Sequence, residues 1–196
     1  MHLSLLLTGN ELMTGDTLDS NSAMVAQLCL DQGIHVAYKA TISDSIEQLV
    51  SEIERLSANS DILLVNGGLG PTSDDLTAEA LAQVLGVPIT LHASALQHLQ
   101  KWCLARNYEL SDANKKQAML PLGIDLVANS VGSAVGFKVR HNDCLIVCTP
   151  GVPHELQQML VQEILPEFAE MRPKDRSSSL DIRRTRYRVF GLGESS

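Results

Sequence analysis

The sequence predicts an α/β protein built on a parallel sheet, and three observations carry that expectation. Short aliphatic runs, Leu3 to Thr8 and Ile62 to Val65, stop at polar or glycine-rich loops, as strands buried on both faces do. Other stretches space their apolar residues by threes and fours, most clearly Asp44 to Leu56, which is the period of an amphipathic helix. Aromatic residues are only 4% of the chain against 44% hydrophobic residues in all, so aliphatic side chains must fill the core.

Taken in order, Leu3 to Thr8 is the first strand and opens into a long polar loop, Gly9 to Asn21, of the kind that carries sites at the carboxyl edge of a sheet. Asp19 or Asn21 caps the next helix, which stops at Gly33, and Ile34 to Ile42 resumes as a strand. Asp44 followed by Glu47 has the form of a capping box for the helix that ends near Leu56. After the strand Ile62 to Val65 and its loop, helices are expected over Leu76 to Leu85 and Ala93 to Arg106, with one more from Ser111 or Asp112 that ends before Pro121. Short strands follow at Asp125 to Ala128, Phe137 to Arg140 and Cys144 to Thr149, the last two forming a hairpin. A closing helix starts at Pro153 and ends near Pro166.

These elements place one domain over residues 1–170. Residues 171–196 are expected to be a linker and the truncated start of a following domain, because the polar stretch from Arg172 leads into an edge-strand pattern over Asp181 to Phe190.

The net charge of −8 argues against nucleic acids and membrane surfaces, which reward clustered Lys and Arg. The basic group Arg183, Arg184, Arg186 and Arg188 reads as one face of a strand. Cys29, Cys103, Cys144 and Cys148 lack C-x-x-C spacing, so neither zinc nor a disulfide framework is indicated. No run approaches the length of a membrane span and the start lacks the basic region of a signal peptide. A soluble, cytoplasmic protein is the expectation.

The chemistry is expected at Asn66-Gly-Gly-Leu-Gly-Pro-Thr-Ser-Asp-Asp. Gly67, Gly68 and Gly70 permit close approach of backbone to a ligand, Pro71 fixes the exit, and a helix N-terminus follows, an arrangement suited to phosphate. Asp74 and Asp75 would repel phosphate unless a divalent cation sits between them. The alternative is an ordinary strand-to-helix turn with Asp75 as the helix cap. No Lys-Ser/Thr follows the glycines and the G-x-G-x-x-G spacing is absent, which excludes the P-loop and the dinucleotide fold. Glu11 and Asp16 are candidate metal ligands or plain turn residues, and Lys115 and Lys116 could reach phosphates or form a solvated face. His154 is a candidate base or a surface histidine.

Five motifs in unbroken order, G-N-E-L-M-T-G-D-T-L-D-S-N, N-G-G-L-G-P-T-S-D-D-L-T, N-K-K-Q-A-M-L-P, G-S-A-V-G-F and P-G-V-P-H-E-L, closely resemble the amino-terminal domain of the CinA family, which is similar to the molybdopterin-binding MoaB, Mog and MoeA proteins. The resemblance implies a three-layer α/β sandwich, a mostly parallel sheet with helices on both faces and a small β-hairpin extension. It also implies a site shaped by Gly67, Gly68, Gly70, Asp75 and Asp44; with the loop reading above, Asp75, Asp44 and Asp74 are the candidate catalytic residues. Gly67, Gly68, Gly70, Pro71, Thr72, Asn10, Asn21, Lys116 and Gly151 would hold substrate and phosphate, and Asp75, Asp16 and Glu11 a divalent Mg, Mn or Co. A monovalent cation beside it and molybdopterin as ligand belong to the same expectation. The implied activity is metal-dependent hydrolysis of ADP-ribose, in a homodimer, and the tail R-V-F-G-L-G-E-S-S resembles the entry to a middle domain. Beyond that, some members carry a nicotinamide-nucleotide amidase domain. Two positions depart from the pattern: Val135 stands where a proline is usual, and His154 where an arginine is usual, which removes a permanent positive charge.

Overall fold

The computed structural model describes residues 1–171; the expected linker, edge strand and following domain lie outside the described residues. In chain order the elements are β1 (Leu3–Thr8), α1 (Asn10–Thr14), α2 (Asn21–Asp31), β2 (Val36–Ile42), α3 (Ile46–Ser57), β3 (Ile62–Asn66) and α4 (Thr77–Leu85). Then come β4 (Ile89–Leu91), α5 (Ala93–Ala105), α6 (Asp112–Lys115), β5 (Met119–Pro121), β6 (Asp125–Val127), β7 (Gly136–His141), β8 (Cys144–Thr149), α7 (Pro153–Met159) and α8 (Leu165–Glu170). Six strands form one sheet in the order β2-β1-β3-β8-β7-β6, and β4 pairs with β5 in a small separate sheet. The first four strands of the large sheet are parallel, and β7 and β6 extend it antiparallel.

The period-two alternation of buried strands divides the interior into two cores. Leu6, Leu63, Val65, Ile146 and Cys148 pack against Leu49, Ile53 and Leu56 of α3 and Ala80 and Leu81 of α4. On the opposite face Leu5, Leu7, Ile62, Leu64 and Val147 meet Val25 and Cys29 of α2 and Leu156, Met159 and Phe168 of the closing helix. Helices therefore cover both faces of a mostly parallel sheet, the expected three-layer arrangement. Among the described residues no helix is long and apolar enough to cross a membrane.

Three local expectations change. Gly9 to Asn21 contains the short helix α1. The helix expected to end before Pro121 does so at Lys115, and the chain then passes through a single 3₁₀ turn, Lys116–Ala118, into an unexpected strand, β5, because Met119–Pro121 completes a pair with Leu91–Ile89. Pro166 does not end the last helix. A π-helical turn at Leu160–Ile164 precedes it, and this wider turn absorbs the ring and the missing N–H, so the helix continues and buries Leu165 and Phe168. The β7–β8 hairpin forms as expected, with Asn142 and Asp143 both at positive φ, 51° and 61°, the conformation that a two-residue turn needs.

Candidate functional site

Loops following β1, β2, β3 and β8 meet at the carboxyl ends of the parallel strands, where ligands of open α/β sheets bind. They surround a cleft of about 560 Å³. Thr8, Gly9 and Glu11 line it from β1, Asp44 from β2, and Gly67 to Pro71 with Asp74 and Asp75 from β3. Pro150 to Pro153 and Glu155 line it from β8, and Gln117, Ser133 and Ala134 close the remaining side.

The glycine loop is shaped by lack of space as much as by conformation. Gly67 has φ 111°, and a Cβ there would sit 2.6 Å from the Thr8 carbonyl oxygen; Gly68 has φ 67°, and its Cβ would collide with the Thr77 hydroxyl. Asp75 closes the loop. Its Oδ1 accepts from the Gly70 N–H at 2.7 Å, and its Oδ2 accepts from the Thr72 N–H at 2.9 Å and from the Thr72 hydroxyl. The capping alternative for Asp75 therefore falls: α4 starts at Thr77, with Leu76 before it and no side-chain cap. The Thr77 N–H and hydroxyl instead donate to the carbonyls of Gly68 and Gly67.

Lys116 staples the same loop, its ammonium donating to the Thr72 carbonyl at 2.6 Å and to the Asp75 carbonyl at 2.7 Å, with Glu79 at 3.5 Å. Lys116 thus positions the loop, while Lys115 pairs with Asp112 on the surface. The Gly67 N–H is taken by the Thr149 carbonyl at 2.9 Å. Gly68 and Leu69 line the cleft, and their N–H groups donate to no acceptor among the described residues. Those two amides are the donors that the glycine loop itself offers an anion.

The capping role expected for Asp44 belongs to its neighbour. Ser45 is the N-cap of α3 and accepts from the Gln48 N–H. Asp44 accepts from the Thr8 hydroxyl at 2.7 Å and the Asn10 N–H at 2.9 Å, and its own N–H donates to the Asn10 side chain. Asn10 thus locks Asp44 in the cleft without lining it. Asn21 joins strand ends, donating to Asn66 at 2.8 Å and the Gly151 carbonyl at 2.7 Å, while Asn66 reaches Thr149 and Pro150. It lines a smaller pocket of about 100 Å³ that shares Thr8, Glu11, Gly151 and Pro153 with the cleft. Asp16 accepts from Thr14 and does not line the cleft, and His154 is exposed and outside it too. Glu11 and Gly151 do line it.

Sequence reasoning missed Glu155, Gln117 and Ser133. Glu155 stands in the first turn of α7, beside the His154 that drew attention instead. Its carboxylate accepts from Asn129 Nδ2 at 2.8 Å. Gln117 donates to Ser133 at 3.1 Å. The only local signal was the acid just after Pro153, because the contacts that define these residues cross 16 to 26 positions of sequence.

The cleft is acidic, and none of its lining residues is Lys, Arg or His. Proximity of the Thr72 hydroxyl, followed by backbone hydrogen bonding and the Lys116 charge, holds the Asp74 carboxyl below its ordinary value, so it is ionised at neutral pH. Among the described residues no three His, Cys, Asp or Glu side chains form a ready-made metal cluster. Separate oxygen donors fit a hard cation that takes one or two carboxylates and completes its shell with ligand phosphates. Asp44, Asp74, Asp75 and Glu11 are the carboxylates that would hold it. The four cysteines are buried, and burial pushes the Cys29 thiol up to about 11 and, with Asp61 nearby, Cys144 to about 11, so these two are protonated at neutral pH.

The sequence profile described as a probable molybdopterin binding domain matches residues 4–170. A CinA-like protein of Colwellia psychrerythraea is 53% identical over 99% of this chain and 44% of its own length. A protein of Shewanella oneidensis named nicotinamide-nucleotide amidohydrolase PncC is 39% identical over 85% of this chain and 39% of its own. The chain thus spans less than half the length of these curated relatives. Among solved structures, a CinA protein from Thermoplasma acidophilum superposes with a TM-score of 0.77 at 25% identity, covering 86% of this chain and 97% of that one. The molybdopterin biosynthesis enzyme MoaB from Thermus thermophilus shares the fold, with a TM-score of 0.56 at 16% identity over 86% of this chain and 94% of that one. With its glycine loop, its two locked aspartates and this fold, the chain belongs to the molybdopterin-binding domain family, as a CinA-type member.

Proposed function

We propose that this domain binds a nucleoside diphosphate sugar, ADP-ribose being the leading candidate, together with a divalent cation, and hydrolyses the diphosphate. The observation that carries the reading is the acidic cleft beside two free loop amides, with no Lys, Arg or His among its lining residues. Such a surface repels a diphosphate unless a cation enters with it. A bound Mg²⁺, Mn²⁺ or Co²⁺ would supply Lewis-acid polarisation of the phosphoryl oxygens and a more acidic water. The protein's own part is positioning: the N–H groups of Gly68 and Leu69 hold one phosphate, and Asp75 with Lys116 keeps their loop in shape. Asp44, fixed by Thr8 and Asn10, faces the cleft as an acceptor for the proton of the attacking water. Water oxygen bonds to phosphorus, the P–O–P bridge breaks, and AMP and ribose 5-phosphate leave.

The amidohydrolase name in Shewanella oneidensis belongs to a protein of which this chain spans 39%, and supports only the broader class of hydrolysis on nucleotides. A second reading is favoured by the absence of a preformed three-carboxylate cluster among the described residues and by the family description: a module that binds molybdopterin or a nucleotide without chemistry. Adenylyl transfer to a pterin is a variant of it that consumes ATP only when pterin is added. Asp44→Asn and Asp74→Asn separate hydrolysis from binding alone. Under the proposed function both lower AMP release from ADP-ribose at least tenfold, and Asp74→Asn, whose side chain accepts no hydrogen bond that ties the loop, does so with thermal melting unchanged. Tight wild-type binding with no AMP in Mg²⁺, Mn²⁺ or Co²⁺ would establish the module instead.

A further inference from the structure

We infer that Glu155 is a specificity-determining residue of the cleft, the acceptor for the vicinal hydroxyls of a ligand's pentose; this rests on the proposed nucleoside diphosphate sugar. Its carboxylate lines the cleft and lies within 4 Å of no Lys, Arg or His nitrogen among the described residues. It is nonetheless held by a buried donor. Asn129 is 1% exposed, and its Nδ2 gives one proton to the Ala134 carbonyl at 2.7 Å and the other to Glu155. The Asn129 Oδ1 accepts from the N–H groups of Val131 and Gly132, so the amide cannot turn away.

Gly132 makes room for this arrangement, since a Cβ there would overlap both the Glu155 carboxylate and the Asn129 amide. Its φ is not in the left-handed region, so space, and not backbone conformation, is what requires glycine here. A general contribution to the positive end of α7 would need an acid in the first turn, and would need neither the buried amide nor the missing Cβ.

The position fits a sugar. Asp44 follows β2 and Glu155 follows β8, three strands away in the sheet order, so the strand ends are roughly 14 Å apart at ordinary strand spacing. The glycine loop lies between them. With phosphate at that loop, a pentose attached to it extends toward one flank, and a carboxylate already fixed through one oxygen keeps lone pairs for two adjacent hydroxyls. Acidic residues read ribose hydroxyls in the same way in dinucleotide-binding folds.

The test compares two non-hydrolysable ligands by calorimetry in Mg²⁺: the methylene-bridged analogue of ADP-ribose, which carries pentose hydroxyls, and methylenediphosphonate, which has none. In Glu155→Gln the amide oxygen still accepts from Asn129, so thermal melting should match the wild type. The analogue should bind about tenfold or more weakly, with methylenediphosphonate unchanged within twofold. Gly132→Ala, which displaces the carboxylate while leaving the charge in place, should show the same selective loss. Equal losses for both ligands, or none for either, overturn the inference. With a wild type that binds the sugar analogue, those outcomes overturn the inference alone, whereas a wild type that does not bind it overturns the proposed function as well.

Discussion

The two walls of the cleft are built differently. On the β1–β2–β3 side each acid accepts from backbone N–H groups: Asp75 from Gly70 and Thr72 of its own loop, and Asp44 from Asn10 in the loop of the adjacent strand. On the β8 side Glu155 depends on Asn129, 26 residues earlier, and on a glycine whose missing side chain makes room. Removing an acid from the first wall therefore loosens the loop that carries it, while removing Glu155 leaves the backbone supported by Asn129's remaining bonds. The first wall couples stability to binding, and the second separates them.

The sharpest way to break the first wall is Gly67→Ala. It combines a φ of 111° with a Cβ 2.6 Å from the Thr8 carbonyl, and should cost about 3 kcal/mol in urea unfolding. Next comes Asn66→Ala. Asn66 is 2% exposed and serves Asn21, Thr149 and Pro150, so its loss strands buried partners and should cost about 2 to 3 kcal/mol.

The contrast itself is tested by Asp75→Asn against Glu155→Gln. An amide at 75 can accept through one side only and presents N–H to N–H on the other, at a cost of about 1 to 2 kcal/mol. Glu155→Gln should change stability by less than about 0.5 kcal/mol. Equal destabilisation would erase the distinction between the walls.

A smaller effect lies outside the cleft. Partial burial raises the Asp19 carboxyl, but hydrogen bonds from the Ser22 hydroxyl and N–H and the Lys39 ammonium outweigh it, so its folded value lies below the ordinary 3.8. That stabilisation is present above the unfolded value and fades as pH falls through the folded one. Asp19→Ala should therefore cost about 1 kcal/mol at neutral pH through the lost hydrogen bonds from the Ser22 N–H and hydroxyl, and the gap to wild type should narrow as pH falls below 3.8.

The same division explains what was legible in the sequence. β1, β3 and β8 announce themselves because buried parallel strands are continuous apolar runs, and Gly67 to Asp75 because glycine and proline mark a loop. Ser45 hid behind Asp44 because adjacent residues both suit a cap, and only the pairing of Thr8 and Asn10 with Asp44 decides between them. Pro166 misled because a π turn cannot be read from spacing. Lys116 looked like a phosphate ligand because its two carbonyl partners are more than 40 residues away. Glu155 stayed invisible for a similar reason.

The most direct test of hydrolysis in this cleft follows ADP-ribose by ³¹P NMR with purified protein and Mg²⁺, Mn²⁺ or Co²⁺. The proposed function predicts that the diphosphate resonances are replaced by equal amounts of AMP and ribose 5-phosphate, and that a chelator stops the conversion. Diphosphate resonances that persist unchanged with all three ions would contradict it.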